Sequence, residues 1–261
     1  LWMDTDKPGF PSLAGTQRCS VVVVGAGLTG ITTALLLAQA GVRVAVVDAD
    51  VVGSGTSGGT TAKVTIQHDV HLHGLGEDKA RGYAAANQAG LTLIDTLIRT
   101  HGIACDFARC PAYVYARDDA EQKQVEKEMD MYERIGLAGR LTESVPLPLG
   151  ARCALTIDDQ AQFHPLKYLY ALAGKLESMG VPIFEHSRVV AVERDDDAVV
   201  VRTKDGTLRA DSAVLATNYP LVEFPGLFFL RLHQERSYIL AARYDADVGG
   251  MGITADSPVN S

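Results

Sequence analysis

Apolar positions along this chain change rhythm several times, and each rhythm predicts an element. Cys19 to Val24 is a short, continuously apolar run rich in valine, the pattern of a parallel strand buried on both faces. Leu28 to Ala40 predicts a helix closed by Gly41. Val42 to Val47 predicts a second buried strand, ending at Asp48. Together these segments make a β-α-β unit. Ahead of them, a Pro/Gly-rich lead-in from Pro8 to Gly15 is expected to be an extended arm.

The middle of the chain turns helical. From Glu77 to Arg99 the apolar residues Tyr83, Leu91, Ile94 and Ile98 form a stripe that Gly102 closes. Ala112 to Ala116 predicts a strand. Asp118 opens another helix, with Glu121 spaced for a capping box and Val125, Met129 and Tyr132 on one face as core packing. Pro146 and Pro148 break the pattern. Pro165 suits the first turn of the next helix, and Leu166, Leu169, Leu172 and Leu176 carry it to Gly180.

Strands are expected at Val181 to Glu185, Val189 to Arg194, Val199 to Thr203 and Ser212 to Thr217, with Asp195-Asp196-Asp197 at a hairpin tip and Lys204-Asp205-Gly206 as a turn. The order of helix, strand, meander and last apolar strand predicts a return to the opening β-α-β unit. Arg231 to Tyr244 predicts one or two further strands.

Composition narrows the function. A chain of 261 residues has room for one large α/β domain or two interleaved smaller ones. With 47% apolar and 21% charged residues it is ordinary for a soluble protein. Its formal charge of -8 argues against nucleic acid, which needs a basic face. The longest apolar stretches, such as Val21 to Val24 and Ala34 to Ala38, fall well short of the ~20 residues of a membrane span. No basic leader with an apolar run opens the sequence, and Leu1-Trp2-Met3 is unlike a natural start. The expectation is a cytoplasmic protein trimmed at its N-terminus. Cys19, Cys105, Cys110 and Cys153 form no Cys-x-x-Cys pair and no Cys–His metal spacing, so reduced, partly buried thiols are expected.

Gly25-Ala26-Gly27-Leu28-Thr29-Gly30 fits G-x-G-x-x-G, a weak pattern alone. Here a buried strand precedes it, a helix follows, and Asp48 ends the next strand. Gly25 permits the tight turn, Gly27 lets the backbone approach a pyrophosphate, and Gly30 lets the helix pack close to the strand. The N–H groups at the helix start hold the phosphate charge. Asp48 can accept from ribose hydroxyls and disfavours a 2′-phosphate, leaving NAD or FAD. An NAD-dependent dehydrogenase would continue in β-α units after Asp48, whereas this sequence gives a long loop and a meander. That loop, Val52 to Ala62, is rich in Gly, Ser and Thr; it offers donors for close approach to a ligand, or is a flexible surface linker.

These residues carry a resemblance. The fingerprint, Asp48, the stretch Gly53 to Lys63 and Leu215-Ala216-Thr217 resemble the D-amino-acid oxidase/glycine oxidase superfamily of FAD enzymes. Thr60 to Thr65, Gln67-His68, Gln162 to Tyr168 and Gln234 to Tyr238 look like its bacterial branch related to γ-glutamylputrescine oxidase, in which a C-terminal Rieske domain is frequent. The similarity runs over nearly the whole chain. Gly59 and Asp69 depart from the branch, which has His and Gly there. The resemblance implies an α/β (α+β mixed) fold: a Rossmann-like FAD/NAD(P)-binding domain from residues 1–75 and 150–220, with an interleaved antiparallel-sheet substrate domain from 76–149 and 221–261.

It also implies how FAD lies. Gly25, Gly27, Leu28, Thr29 and Gly30 would meet the pyrophosphate, and Asp48 with Ala49 the adenosine ribose. Ser57, Thr60, Thr61 and Ala62 would follow the ribityl chain. Val189 would meet the adenine, and Ala216-Thr217 would close over the ADP part. Family members continue past the length of this chain with more strands and a glycine-rich flavin contact, so a fragment or a shortened relative is expected, holding FAD weakly. The implied reaction is oxidation of a C–N bond of a small amine or amino acid by hydride transfer to flavin, with O₂ or another electron acceptor. The alternative is a truncated dinucleotide-binding module without turnover.

No catalytic residue stands out, as suits chemistry carried by a cofactor. His164 is a weak candidate, lining the cavity or standing at a helix start with its ring satisfied by backbone. Tyr238 and Arg236 are expected on a strand, to present side chains to substrate or to serve it structurally. His68, His71 and His73 invite a metal, but polar loop histidines are the better reading, and no metal is expected.

Overall fold

Four consecutive valines place branched side chains on both faces of the backbone, so Val21–Val24 is stable only between two apolar layers. The structure, a computed structural model, describes residues 2–143, 145, 150–222, 226–234, 238–242, 245 and 249–255. The first half contains β1 (Gly15–Arg18), β2 (Val21–Val24), α1 (Leu28–Gln39), β3 (Val44–Val47), β4 (Lys63–Val64), α2 (Glu77–His101), β5 (Ala108–Ala116) and α3 (Asp119–Ile135). Then come β6 (Arg140–Thr142), β7 (Cys153–Gln162), α4 (Pro165–Ser178), β8 (Ile183–Phe184), β9 (Ala191–Asp195), β10 (Ala198–Arg202), β11 (Gly206–Ala210), β12 (Ser212–Leu215) and β13 (Met251–Thr254).

These elements form two units, Leu1–Thr61 with Pro165–Ala241, and Ala62–His164 with Ala242–Ser261. The divisions differ from the expected 75/76, 149/150 and 220/221. Residues 62–75 and 150–164 belong to the second unit because β7 pairs with both β4 and β5.

In the first unit, β12-β2-β3-β8 form a wholly parallel sheet. The last apolar strand does return: Ser212 pairs with Val21 and Leu215 with Val24. Val22, Val23, Val46 and Val47 are all fully buried. On one side Val22 and Val47 join Leu13, Phe184, Val189, Val201 and Leu208 in a single core. Burying each such side chain contributes about 1.5–3 kcal/mol before chain entropy is counted. α4 packs against α1, with Leu166, Leu169, Leu172 and Leu176 out of water. The second sheet runs β1-β11-β10-β9. Asp196, at φ +53, turns its β9–β10 hairpin, a left-handed value that aspartate tolerates. β1 begins at Gly15, the last residue of the expected arm. All four of its residues are exposed, so no apolar alternation marks it in sequence.

The second unit is built on β13-β5-β7-β4, with β6 also on β7. β5 and β7 are antiparallel, and the register shifts between Cys110 and Ala112. Pro111 sits at that irregularity, having no N–H to give the ladder. β7 escaped prediction because Asp158 and Asp159, both exposed, interrupt a strand that is otherwise buried as far as Ala161. Asp118 caps α3 by accepting from Ala120 N and Glu121 N. Glu121 reaches one residue further back than a capping box requires, accepting from Arg117 N at 2.6 Å. Val125 and Tyr132 are fully buried with Met129 against them. Gly102, at φ +61, ends α2.

The three neighbouring histidines have separate partners. His68 Nδ1 meets Tyr83 Oη, His71 Nδ1 meets the His68 carbonyl, and His73 Nδ1 meets Glu128 at 2.8 Å. Among the described residues no group of His, Cys, Asp and Glu is arranged to hold a metal ion. None of their helices is long and apolar enough to cross a membrane.

One expectation is not met where the chain is described. No strand forms among the described residues between Arg231 and Tyr244, where Tyr238 and Leu240 are 90% and 92% exposed. A stretch becomes a strand only where a sheet edge accepts it, and no described strand pairs with this one. Arg236, Pro146 and Pro148 lie outside the described residues.

Burial, helped by the nearby His71, holds the His68 pKa below its ordinary value. The unfolded chain therefore takes up the proton more readily than the folded one, and stability present above about pH 6.5 is lost as pH falls. The thermal midpoint should drop from pH 7 to pH 5, and His68→Gln should shrink that drop; an unchanged pH profile in the variant contradicts it.

Candidate functional site

β2 ends at Val24, and the chain must turn at once to enter α1. Gly25 makes the turn at φ +108, closed to residues with a β-carbon, which would also stand 2.4 Å from the Ala216 carbonyl oxygen. Gly30 approaches so closely that a β-carbon on it would lie 1.8 Å from the Gly25 carbonyl oxygen. The start of α1 is thus pressed onto the end of β2. N–H groups of a helix's first turn have no acceptor inside it, and the aligned dipoles add roughly half a positive charge there.

Two side chains close on this turn. Asp48, just beyond β3, accepts from Ala26 N through Oδ2 at 2.6 Å and from Asp50 N through Oδ1 at 2.9 Å. Ser57 Oγ accepts from Leu28 N at 2.9 Å. A β-carbon on residue 27 would stand 2.8 Å from that oxygen, so a glycine there lets the loop come down. Ser57 does not shut the turn against an anion, because a hydroxyl that accepts from Leu28 N keeps its own proton to donate.

Around these groups is a cavity of about 990 Å³, at the upper end of the ~300–1,000 Å³ usual for ligand sites. Gly25, Gly27, Leu28, Thr29, Asp48, Ala49, Ser57, Thr60, Val189, Ala216 and Thr217 all line it. Gly30 does not; it lies buried beneath, setting the helix height. Thr61 is outside the lining, and Ala62 begins the second unit. His164 and Tyr238 do not line it either. His164 ends a segment of the second unit, its backbone N–H donating to the Cys105 carbonyl at 2.7 Å. Tyr238 lies on no strand, contrary to expectation.

Several lining residues were not singled out from sequence. Arg188 is the one cationic side chain among the described lining residues, beside the acids Asp48 and Asp50. Its place next to Val189 was the available signal. Residues 218–221 also line the cavity, and Asn218-Tyr219-Pro220 has turn composition. Glu185 lies behind the wall, accepting from Val52 N at 2.8 Å. No motif announces it.

Comparison with known proteins decides the family. Residues 20–258 match the family model DAO, described as FAD dependent oxidoreductase. The chain belongs to the DAO family. A putative Rieske 2Fe-2S iron-sulfur protein, YhfW of Bacillus subtilis (strain 168), is 33% identical over 260 residues, covering 97% of this chain and 51% of that protein. The gamma-glutamylputrescine oxidoreductase of Escherichia coli (strain K12) is 29% identical over 220 residues, 80% of this chain and 51% of that protein. Among solved structures, the L-amino acid deaminase from Proteus vulgaris shares the fold with a TM-score of 0.65 at 19% identity, covering 81% of this chain and 50% of that one. The chain spans about half the length of the curated relatives it matches.

FAD is the cofactor of the DAO family, and the site fits it. An anion-seeking helix start, a donor hydroxyl at Ser57 and a carboxylate at Asp48 are the groups a diphosphate joined to a ribose requires.

Two substitutions separate packing from binding. Gly30→Ala forces a β-carbon into the Gly25 carbonyl and should cost more than about 3 kcal/mol of stability, read by denaturant unfolding. Ser57→Ala removes one hydroxyl donor and should weaken FAD binding about tenfold, read by flavin fluorescence titration. A Gly30→Ala protein as stable as the parent contradicts the close approach.

Proposed function

We propose that this chain holds FAD extended along the cavity and serves oxidation of a C–N bond in a small amine or amino acid. What carries the reading is the convergence of the α1 start, the Asp48 carboxylate and the Ser57 hydroxyl on one cavity of cofactor size. The gamma-glutamylputrescine oxidoreductase relative supports an amine or amino acid as the substrate class.

Each residue then has a task. Thr29 offers a first-turn N–H group to the diphosphate, Leu28 lies against it with its own N–H given to Ser57 Oγ, and Gly25 and Gly27 leave the backbone bare for its approach. Ser57 donates its hydroxyl proton while accepting from Leu28 N. Each oxygen of Asp48 already takes one backbone N–H and retains a lone pair for a ribose hydroxyl, with Ala49 alongside. Val189 and Arg188 flank the adenine, and Ala216 with Thr217 cover the diphosphate. Thr60 leads the ribityl chain away from the glycine turn, with Thr61 next along the chain. Bound FAD supplies the hydride acceptor, later reoxidised by O₂ or another electron acceptor. A cytoplasmic setting is part of the reading, supported by Cys19, Cys105, Cys110 and Cys153 all being free thiols.

The test is an absorption spectrum of the purified full-length protein reconstituted with FAD, followed anaerobically during addition of candidate amines and amino acids. Oxidised flavin bands that bleach with one of them are expected. A protein that takes up no flavin contradicts the cofactor assignment; flavin that binds and bleaches with no member of the panel contradicts the turnover.

A further inference from the structure

Residues ahead of β1 make contacts that cofactor binding alone does not explain. The Trp2 indole N–H donates to the Thr60 carbonyl at 2.8 Å, and the Thr5 hydroxyl donates to the Trp2 carbonyl at 2.9 Å. The Met3 methyl stands 3.3 Å from where a β-carbon on Gly58 would be. Further along, Phe10 N donates to Glu185 Oε2 at 3.1 Å, Glu185 N donates to the Pro11 carbonyl at 3.1 Å, and Leu13 N donates to Ser187 Oγ at 2.8 Å. This arm is fastened at one end to the Gly/Ser/Thr loop and at the other to the chain just past β8.

Glu185 joins the two. It is 2% exposed, and while Oε2 takes Phe10 N, Oε1 takes Val52 N at 2.8 Å. The next residue, Gly53, donates its N–H to the Ala26 carbonyl at 3.1 Å, inside the glycine turn. His186 N and Ser187 N donate to the carbonyls of Asp50 and Asp48 at 2.7 and 2.8 Å, fixing the same strand end to the start of the loop. A carboxylate only accepts, so its two oxygens suit two converging N–H groups. A glutamine would turn an NH₂ towards one of them.

The loop needs such fastening. Four of its residues, Gly53, Gly55, Gly58 and Gly59, are glycines, which lose more conformational freedom on ordering than any other residue. A loop ordered only on binding would subtract that entropy from cofactor affinity, whereas one ordered beforehand does not.

We propose that residues 2–13 are a strap that seats the 52–60 loop over the cofactor cavity, and that Glu185 is the positioning residue tying strap to loop. The proposal rests on the FAD reading of that cavity. Its reach extends beyond the cavity lining, since neither Trp2 nor Glu185 lines it.

The experiment uses Trp2→Phe and Glu185→Gln in the full-length protein. Hydrogen exchange of peptides covering 52–60 is followed without FAD, and FAD affinity and the visible circular dichroism of bound flavin are measured beside it. Trp2→Phe keeps an aromatic ring but loses the indole N–H with the pyrrole part of the ring; it should raise exchange in the loop and weaken FAD about fivefold, with the thermal midpoint little changed. Glu185→Gln should do the same more strongly, tenfold or beyond, and alter the dichroism of the bound flavin. If Glu185→Gln fails to fold, Trp2→Phe decides alone. A parent that binds FAD, with variants matching it in exchange and affinity, overturns the strap and leaves the FAD reading standing. A parent that binds no FAD overturns that reading and the strap with it.

Discussion

The start of α1 is electrostatically incomplete, and the first unit is organised around that fact. A helix pressed against the end of a buried strand turns its first N–H groups into a space that water or an anion must fill. Part of the demand is met internally, by Ser57 Oγ on Leu28 N and by Asp48 on Ala26 N. Both acceptors are polar groups with capacity to spare, so the arrangement invites a diphosphate carrying a ribose instead of closing against it. The buried valines of β2 and β3 hold the turn still. Gly25 and Gly30 set how near the helix comes to the Ala216 segment and to its own strand.

Much of this was legible in the sequence because short-range rules govern it. A valine run, a glycine fingerprint and an acid at the end of the next strand are tied by backbone sterics, and the structure gathers Gly25, Gly27, Asp48 and Ser57 about one cavity. What escaped depends on long-range pairing. β7 hides behind Asp158 and Asp159, β1 is wholly exposed, and β13 finds its partner β5 far away in sequence. Glu185 was invisible because its role is to accept Phe10 N and Val52 N, from segments far away in sequence that no local pattern connects. The strand expected from Arg231 onward shows the converse: without a sheet edge its described residues stay exposed.

The second unit answers a different physical problem, that of burying polar groups inside an α-helix-covered sheet. Glu128 is fully out of water, yet accepts from Leu72 N, His73 N and His73 Nδ1. Each acceptor bond offsets the desolvation that an unpaired carboxylate would suffer there. The histidines that look like a ligand cluster in sequence are therefore parts of a helix-anchoring network. Spacing alone cannot separate those two uses of histidine; the buried acid opposite them does.

If the incomplete helix start is what recruits the cofactor, the diphosphate should dominate recognition. Calorimetric titration of the protein with ADP and with adenosine tests this directly, since the two ligands differ only in the group the turn is meant to hold. Two or three charge-assisted hydrogen bonds predict ADP binding at least about a hundredfold more tightly than adenosine. Equal affinities would contradict the account.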